Sequence, residues 1–197
     1  MTRPAPAFLL AALMLTALAG CALEPKHIGG SHGDDGPGGP LPADLDRIAD
    51  ARPRSEPLNP GANSPYTALG RKYVPFQSPT PYRQRGIATW YGRKFHGKRT
   101  SSGERYDMYA ITAAHTILPI PSYARVTNLS NGRSIVVRVN DRGPFHAERI
   151  IDLSYAAAYK LGFVDAGSVQ VEVEAILPRS SPAASERPAL ESVAAVR

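Results

Sequence analysis

Ala124-Arg125-Val126-Thr127-Asn128-Leu129-Ser130-Asn131-Gly132-Arg133-Ser134-Ile135-Val136-Val137-Arg138-Val139 decides how the middle of this chain folds. β-Branched residues recur on both sides of Asn131-Gly132, and Asn-Gly between two such runs is a strong hairpin signal. Moving outward, Ile87-Ala88-Thr89-Trp90-Tyr91, Ala110-Ile111-Thr112-Ala113, Ile150-Ile151-Asp152-Leu153 and Val169-Gln170-Val171-Glu172-Val173-Glu174 share the same texture. They are short, β-branched or aromatic, and several alternate with period two. One helix is expected over Tyr155-Ala156-Ala157-Ala158-Tyr159-Lys160-Leu161, with Asp152 or Ser154 as N-cap and Gly162 closing it. Six short strands at close spacing with one or two short helices predict an all-β fold, a small closed barrel and not a βαβ sheet.

The flanks differ in composition. The 19 Pro and 17 Gly of this 197-residue chain cluster outside its middle, so the core has to come from the middle alone. Gly29-Gly30-Ser31-His32-Gly33-Asp34-Asp35-Gly36-Pro37-Gly38-Gly39-Pro40 cannot bury enough apolar surface to offset its ordering entropy. Residues 21–68 are therefore expected to be a flexible tether, residues 69–177 the folded domain, and residues 178–197, rich in Ser, Ala and Pro, a disordered tail. Residues 1–20 carry Arg3 and then an apolar run over residues 7–19, shorter than the roughly 20 residues a membrane-spanning helix requires. That pattern fits a secretory signal. Leu18-Ala19-Gly20-Cys21 directly after it resembles a bacterial lipobox, in which the signal is cut before a cysteine that is then acylated. Cys21 is the chain's one cysteine, which excludes an internal disulfide and a Cys-based zinc site. Neither Ala22 nor Leu23 is the Asp associated with inner-membrane retention, so the resemblance implies an outer-membrane lipoprotein facing the periplasm, held by lipid at Cys21.

The formal net charge of +6 suits an anionic partner, yet no Lys/Arg cluster or aromatic RNA-binding strand accompanies it, so no nucleic acid is expected. The absence of His-Glu-x-x-His, of a phosphate-cradling glycine loop and of a Gly-x-Ser-x-Gly elbow leaves metal, nucleotide and serine chemistry without support, and no cofactor is expected.

Five ordered motifs carry a more specific resemblance: Gly86-Ile87-Ala88-Thr89-Trp90-Tyr91-Gly92, Phe95-His96-Gly97-Lys98-Arg99-Thr100-Ser101-Ser102-Gly103-Glu104, Thr112-Ala113-Ala114-His115-Thr116-Ile117-Leu118-Pro119, Val139-Asn140-Asp141-Arg142-Gly143-Pro144-Phe145 and Arg149-Ile150-Ile151-Asp152-Leu153-Ser154. Over about residues 70–177 the chain resembles the rare lipoprotein A (RlpA-like) family of septal-ring lytic transglycosylases. That resemblance implies a six-stranded double-psi β-barrel, a lipoprotein signal, peptidoglycan glycan strands as substrate, division-site proteins as partners and a monomeric state. Many members carry a further C-terminal module that binds peptide-free peptidoglycan; residues 178–197 are too few for one, which puts septal targeting by that route in doubt.

The chemistry sets its own requirement. Breaking a glycosidic bond takes a proton delivered to the leaving oxygen. A lytic transglycosylase needs no activated water, because the C6 hydroxyl of the muramic acid attacks its own anomeric carbon and closes a 1,6-anhydro ring. One carboxyl, acid first and base second, is enough. Asp141, at a strand end before Gly143-Pro144, is the expected carboxyl and matches the family's aspartate; a turn-capping role is its plain alternative. Glu104 and His115 match the family's other catalytic positions, against the alternative of structural hydrogen bonds near the barrel mouth. Trp90, Tyr91 and Arg142 are expected substrate contacts, with one of the two aromatics facing the core, and with Arg142 holding either a substrate carboxylate or a backbone carbonyl. A non-catalytic wall-binding or wall-loosening barrel is the competing reading, since fold alone does not fix function. A hydrolase is the third, distinguished by a product one water heavier.

Overall fold

The computed structural model describes Gly36 and residues 44–177. After a short 3-10 turn at Leu45–Arg47 come β1 (Tyr66–Ala68), β2 (Arg71–Tyr73), β3 (Arg83–Tyr91), β4 (Thr112–His115), β5 (Ser122–Asn128), β6 (Ser134–Asp141), β7 (Arg149–Ser154), α1 (Tyr155–Leu161) and β8 (Ser168–Ile176). Strands β3 to β8 close into a barrel in the order β3-β7-β4-β6-β5-β8, and β1-β2 form a separate hairpin. Two pairings in the barrel are parallel, β3 with β7 and β4 with β6. These two parallel crossings give the six strands their double-psi connectivity, and the all-β expectation is met.

Alternation explains the barrel. Along β8, Val171 and Val173 are fully buried while Glu172 and Glu174 point outward. The outward pair meets Arg85 and Arg83 at directly opposed positions of β3, so the sheet's outer face is laced by cross-strand ion pairs. Val126, Val137, Val139, Ile151 and Leu153 fill the inside; burying such a side chain contributes about 1.5–3 kcal/mol. Helix α1 is capped by Ser154, not Asp152: the Ser154 Oγ accepts from the Ala157 N–H at 3.2 Å. Gly162, at φ 74, ends it in the left-handed conformation that glycine adopts without cost. The Asn131-Gly132 turn joins β5 to β6 as expected, and Asn128 and Asn131 both donate to the Leu161 carbonyl, pinning the turn to the helix end.

The tether boundary expected at residue 68 is corrected. Residues 44–65 pack on the barrel, with Leu45, Ala62 and Asn63 buried. Strand β4 pairs with β6 only from Arg138 onward, which leaves the Val136 N–H and C=O facing a gap on that side. The arm fills it: the Val136 N–H donates to Asp50 Oδ2 and the Ala51 N–H donates to the Val136 carbonyl, each at 3.0 Å. Lys160 binds Asp50, Glu56 takes two nitrogens of Arg138, and Asn63 exchanges hydrogen bonds with the Ile120 backbone. The polar composition that suggested a free chain satisfies backbone and charge that the barrel leaves open. The signal expected over residues 1–20, the acylation site expected at Cys21 and the tail expected over 178–197 lie outside the described residues.

The hairpin β1-β2 turns through Leu69-Gly70, with φ 46 and 74. Both residues are left-handed, the geometry of a type I′ turn in which Asn-Gly is preferred. A leucine there costs about 1 kcal/mol relative to glycine.

Candidate active site

The ends of β3, β6 and β7 converge with residues 143–149 on a cleft of about 750 Å³. Asp141, the last residue of β6, lies in its wall. Asp141 Oδ1 accepts three hydrogen bonds, from the Ser101 N–H at 2.8 Å, the Ser101 hydroxyl at 2.7 Å and the Arg142 N–H at 2.8 Å. With Oδ1 filled, Oδ2 is the oxygen left for a ligand. The loop after β3 thus aims Asp141, and Gly143 leaves the strand at φ 139, a backbone conformation that glycine adopts and L side chains rarely do.

The other two expected catalytic groups do not line this cleft. Glu104 Oε2 accepts from Arg138 Nη1 at 2.8 Å and from Asn140 Nδ2 at 2.9 Å. The bond from Arg138, ahead of that from Asn140, holds the Glu104 carboxyl below its ordinary range. His115 is 1% exposed, and burial, assisted by the nearby Arg142 charge, lowers its pKa to about 3. Its Nδ1 accepts from the N–H groups of Ile117 and Leu118, so the neutral ring carries its proton on Nε2, 3.1 Å from the Tyr82 hydroxyl. That locks the strand end after β4. His115 borders a separate groove of about 340 Å³, which meets the cleft at Pro144, His146 and Arg149.

For Arg142, expected as a substrate contact, the structure selects the alternative of a backbone carbonyl. Its guanidinium donates to the carbonyls of Ala62, His115 and Leu118 and to Asn63 Oδ1. It clips the arm to the site, and Arg142 also borders the cleft. The expectation that only one of Trp90 and Tyr91 faces inward is corrected: both are buried, at 9% and 8% exposure, and both border the cleft. Trp90 packs edge-on to Tyr155 and donates Nε1–H to the Val164 carbonyl; Tyr91 stacks on Tyr106 with centroids 4.1 Å apart. As the strand runs out, its alternation gives way to packing between loop and helix.

One acid in the cleft escaped the sequence reading. Asp152 of β7 sits beside Thr89 at matched register in the parallel β3/β7 pair, and the Thr89 hydroxyl donates to its Oδ1. Arg149 Nη2 lies 3.4 Å from its other oxygen. Burial pushes the Asp152 pKa up; Arg149, Thr89 and His146 oppose this, and the charge of Asp141 reinforces it. A carboxyl in a cleft wall whose pKa is raised by desolvation has the attribute of a general acid. The available signal was a carboxylate inside an apolar strand, Ile150-Ile151-Asp152-Leu153, where an acid needs a reason.

A closed barrel with acids at one rim defines a class of double-psi barrel proteins with a carboxylate-lined cleft. Residues 83–173 match the family model described as lytic transglycolase. The chain is 52% identical over 164 residues to the endolytic peptidoglycan transglycosylase RlpA of Vibrio cholerae, covering 83% of this chain and 61% of that protein. It is 56% identical over 140 residues to the RlpA of Neisseria meningitidis serogroup A, covering 71% and 59%. Against that of Pseudomonas aeruginosa strain UCBPP-PA14 it is 54% identical over 146 residues, covering 74% of this chain and 42% of the relative. The barrel domain of this chain belongs to the RlpA-like family. The chain spans about three fifths or less of the length of these relatives. Among solved structures it is similar to a Streptomyces papain inhibitor (TM-score 0.41, 25% identity, 49% of this chain and 96% of that one). It is also similar to the apo expansin of Clavibacter michiganensis (TM-score 0.39, 17% identity, 51% and 54%).

Proposed function

We propose that this domain is an endolytic peptidoglycan lytic transglycosylase, cutting the MurNAc-GlcNAc bond and leaving 1,6-anhydroMurNAc ends. The observation that carries the reading is that two half-buried carboxyls line one cleft, Asp152 with its pKa raised by desolvation and Asp141 aimed by three donors. The names of relatives more than 50% identical support it. In this reading Asp152 gives its proton to the bridging oxygen as the bond to the anomeric carbon breaks. The carboxylate of Asp141 stabilises the cationic sugar through its free oxygen. The C6 oxygen of the same muramic acid then bonds to the anomeric carbon, and its proton passes to a cleft carboxylate, so no water enters the balance. The two acids divide what a single Asp141 was expected to do. Glu104, Arg138 and His115 act by holding the strand ends from which the acids project.

The test is mass spectrometry of products from sacculi digested with purified protein. Anhydro ends support the reading; products one water heavier make the protein a hydrolase, and sacculus binding without products makes it a binding module.

We further infer that the mature chain is a lipoprotein, acylated at Cys21, facing the periplasm from the outer membrane and acting in cell-wall remodelling and daughter-cell separation. The motif Leu18-Ala19-Gly20-Cys21 supports this, and an unmodified Cys21 at the mature N-terminus, read by mass spectrometry, overturns it.

A further inference from the structure

Leu69 combines three properties that conflict in a purely structural residue. It is 70% exposed, the most exposed of the large hydrophobic residues described. It occupies a left-handed turn position, φ 46, where asparagine or glycine fits without strain and leucine does not. It also borders the cleft that holds Asp141 and Asp152. Strain at a position that buries nothing in the free protein calls for a benefit outside the fold.

The hairpin that carries it is not loose. Tyr66 and Tyr73 stack with centroids 5.1 Å apart, and Phe145 packs against both, at 6.0 and 5.8 Å. The Tyr66 hydroxyl donates to the Thr116 carbonyl at 2.9 Å, and the Arg142 guanidinium lies 6.0 Å from the Tyr66 ring centre. The tip is therefore held in place over the loop that follows Asp141. Phe95, 43% exposed, contributes a second uncovered apolar surface to the same cleft from the loop after β3. Apolar side chains at the rim of a cleft containing carboxylates suit a ligand with both hydroxyls and C–H faces, which is the chemistry of a pyranose chain.

We propose that Leu69 is a saccharide-binding residue: the tip of the β1-β2 hairpin presses its side chain against a sugar ring of the glycan strand and covers the reacting centre from water. The proposal rests on the transglycosylase reading for the identity of the ligand. It gives stability and binding opposite signs in one substitution. Leu69→Asn creates the preferred Asn-Gly turn, so the thermal midpoint of the full-length protein stays level or rises. Affinity for purified peptide-free glycan strands, read by co-sedimentation, falls about tenfold, the loss of one buried apolar side chain. KM rises by a similar factor while kcat changes less, and the fraction of products ending in a reducing sugar instead of an anhydro sugar increases. Leu69→Met restores binding, and Val74→Asn, at an exposed apolar position outside the cleft, leaves it unchanged. A Leu69→Asn protein that binds and cuts like the parent overturns the proposal, as does one that loses binding only in step with its thermal midpoint. A parent that binds strands and releases no product defeats the transglycosylase reading, while the co-sedimentation comparison still decides the role of Leu69.

Discussion

The cluster around Arg138 and the cleft wall around Asp152 lie close together in the fold and treat acids in opposite ways. Arg138 gives hydrogen bonds to Glu56 and Glu104; the Glu56 carboxyl is lowered to about 2, and that of Glu104 is also lowered. Asp152 has a hydroxyl at close range and an arginine nitrogen only at 3.4 Å, so desolvation wins and its pKa rises. Full guanidinium contact makes an acid an anchor. Desolvation with partial compensation raises its pKa, as the proposed proton donor requires. Glu56 comes from the arm, Glu104 from the loop after β3 and Asp152 from β7, and what separates them is how closely a guanidinium meets each carboxyl.

Asp152→Asn breaks or sharpens this contrast most. Release of anhydro-muropeptides from sacculi is expected to fall about 10²–10⁴-fold, the range for loss of a general acid, with thermal stability nearly level because the amide oxygen still accepts from Thr89. In the parent, kcat falls as pH rises through the raised pKa of Asp152, since the acid is then spent; a rate that stays flat to high pH breaks the contrast. Asp141→Asn is expected to match the loss in rate.

His115 gives the next largest effect, and on stability. Its pKa is about 3 in the folded chain against 6.5 as its ordinary value, so the unfolded chain binds more protons between these pH values. The stability this group contributes is complete above pH 6.5 and is lost as pH falls toward 3, by up to about 1.4 kcal/mol per pH unit. Urea midpoints measured from pH 7 downward check this slope. His115→Asn, which keeps an acceptor for the Ile117 and Leu118 N–H groups, is expected to flatten it.

Arg138→Met leaves Glu104 without its cation and Glu56 with only the exposed Arg54, and is expected to cost about 1–3 kcal/mol in chemical denaturation. Glu104→Gln has the smallest effect, a loss of less than about tenfold in rate, because the amide oxygen still accepts from Arg138 and Asn140. If Glu104→Gln is as inactive as Asp152→Asn, the contrast fails and Glu104 joins the chemistry.

Much of the fold was legible because it is governed by local pattern. Period-two alternation, Asn131-Gly132, Gly162 and the run after Ser154 each report a backbone geometry that the residues themselves impose. Asp141 was legible for the same reason, as an acid at a strand end before Gly143-Pro144. The arm over residues 44–65 was hidden, because Asp50, Glu56 and Asn63 find their partners on Val136, Arg138 and Ile120, far along the chain. Its composition alone matches that of free chain. Asp152 was hidden by register: only the parallel pairing of β3 with β7 sets it beside Thr89 at the cleft. The displacement of His115 and Glu104 from the cleft likewise follows from which strand neighbours which, a non-local property.

The first barrel strand and the last are partners: Arg83 of β3 faces Glu174 of β8, and β8 also pairs with β5. Shorn of β8, the remaining strands form an open sheet whose two outermost members, β3 and β5, expose unused ladder groups. During synthesis, then, the domain is vulnerable to intermolecular strand addition until its final segment is available. Sequence separations this wide make closure slow compared with that of helical domains of similar size.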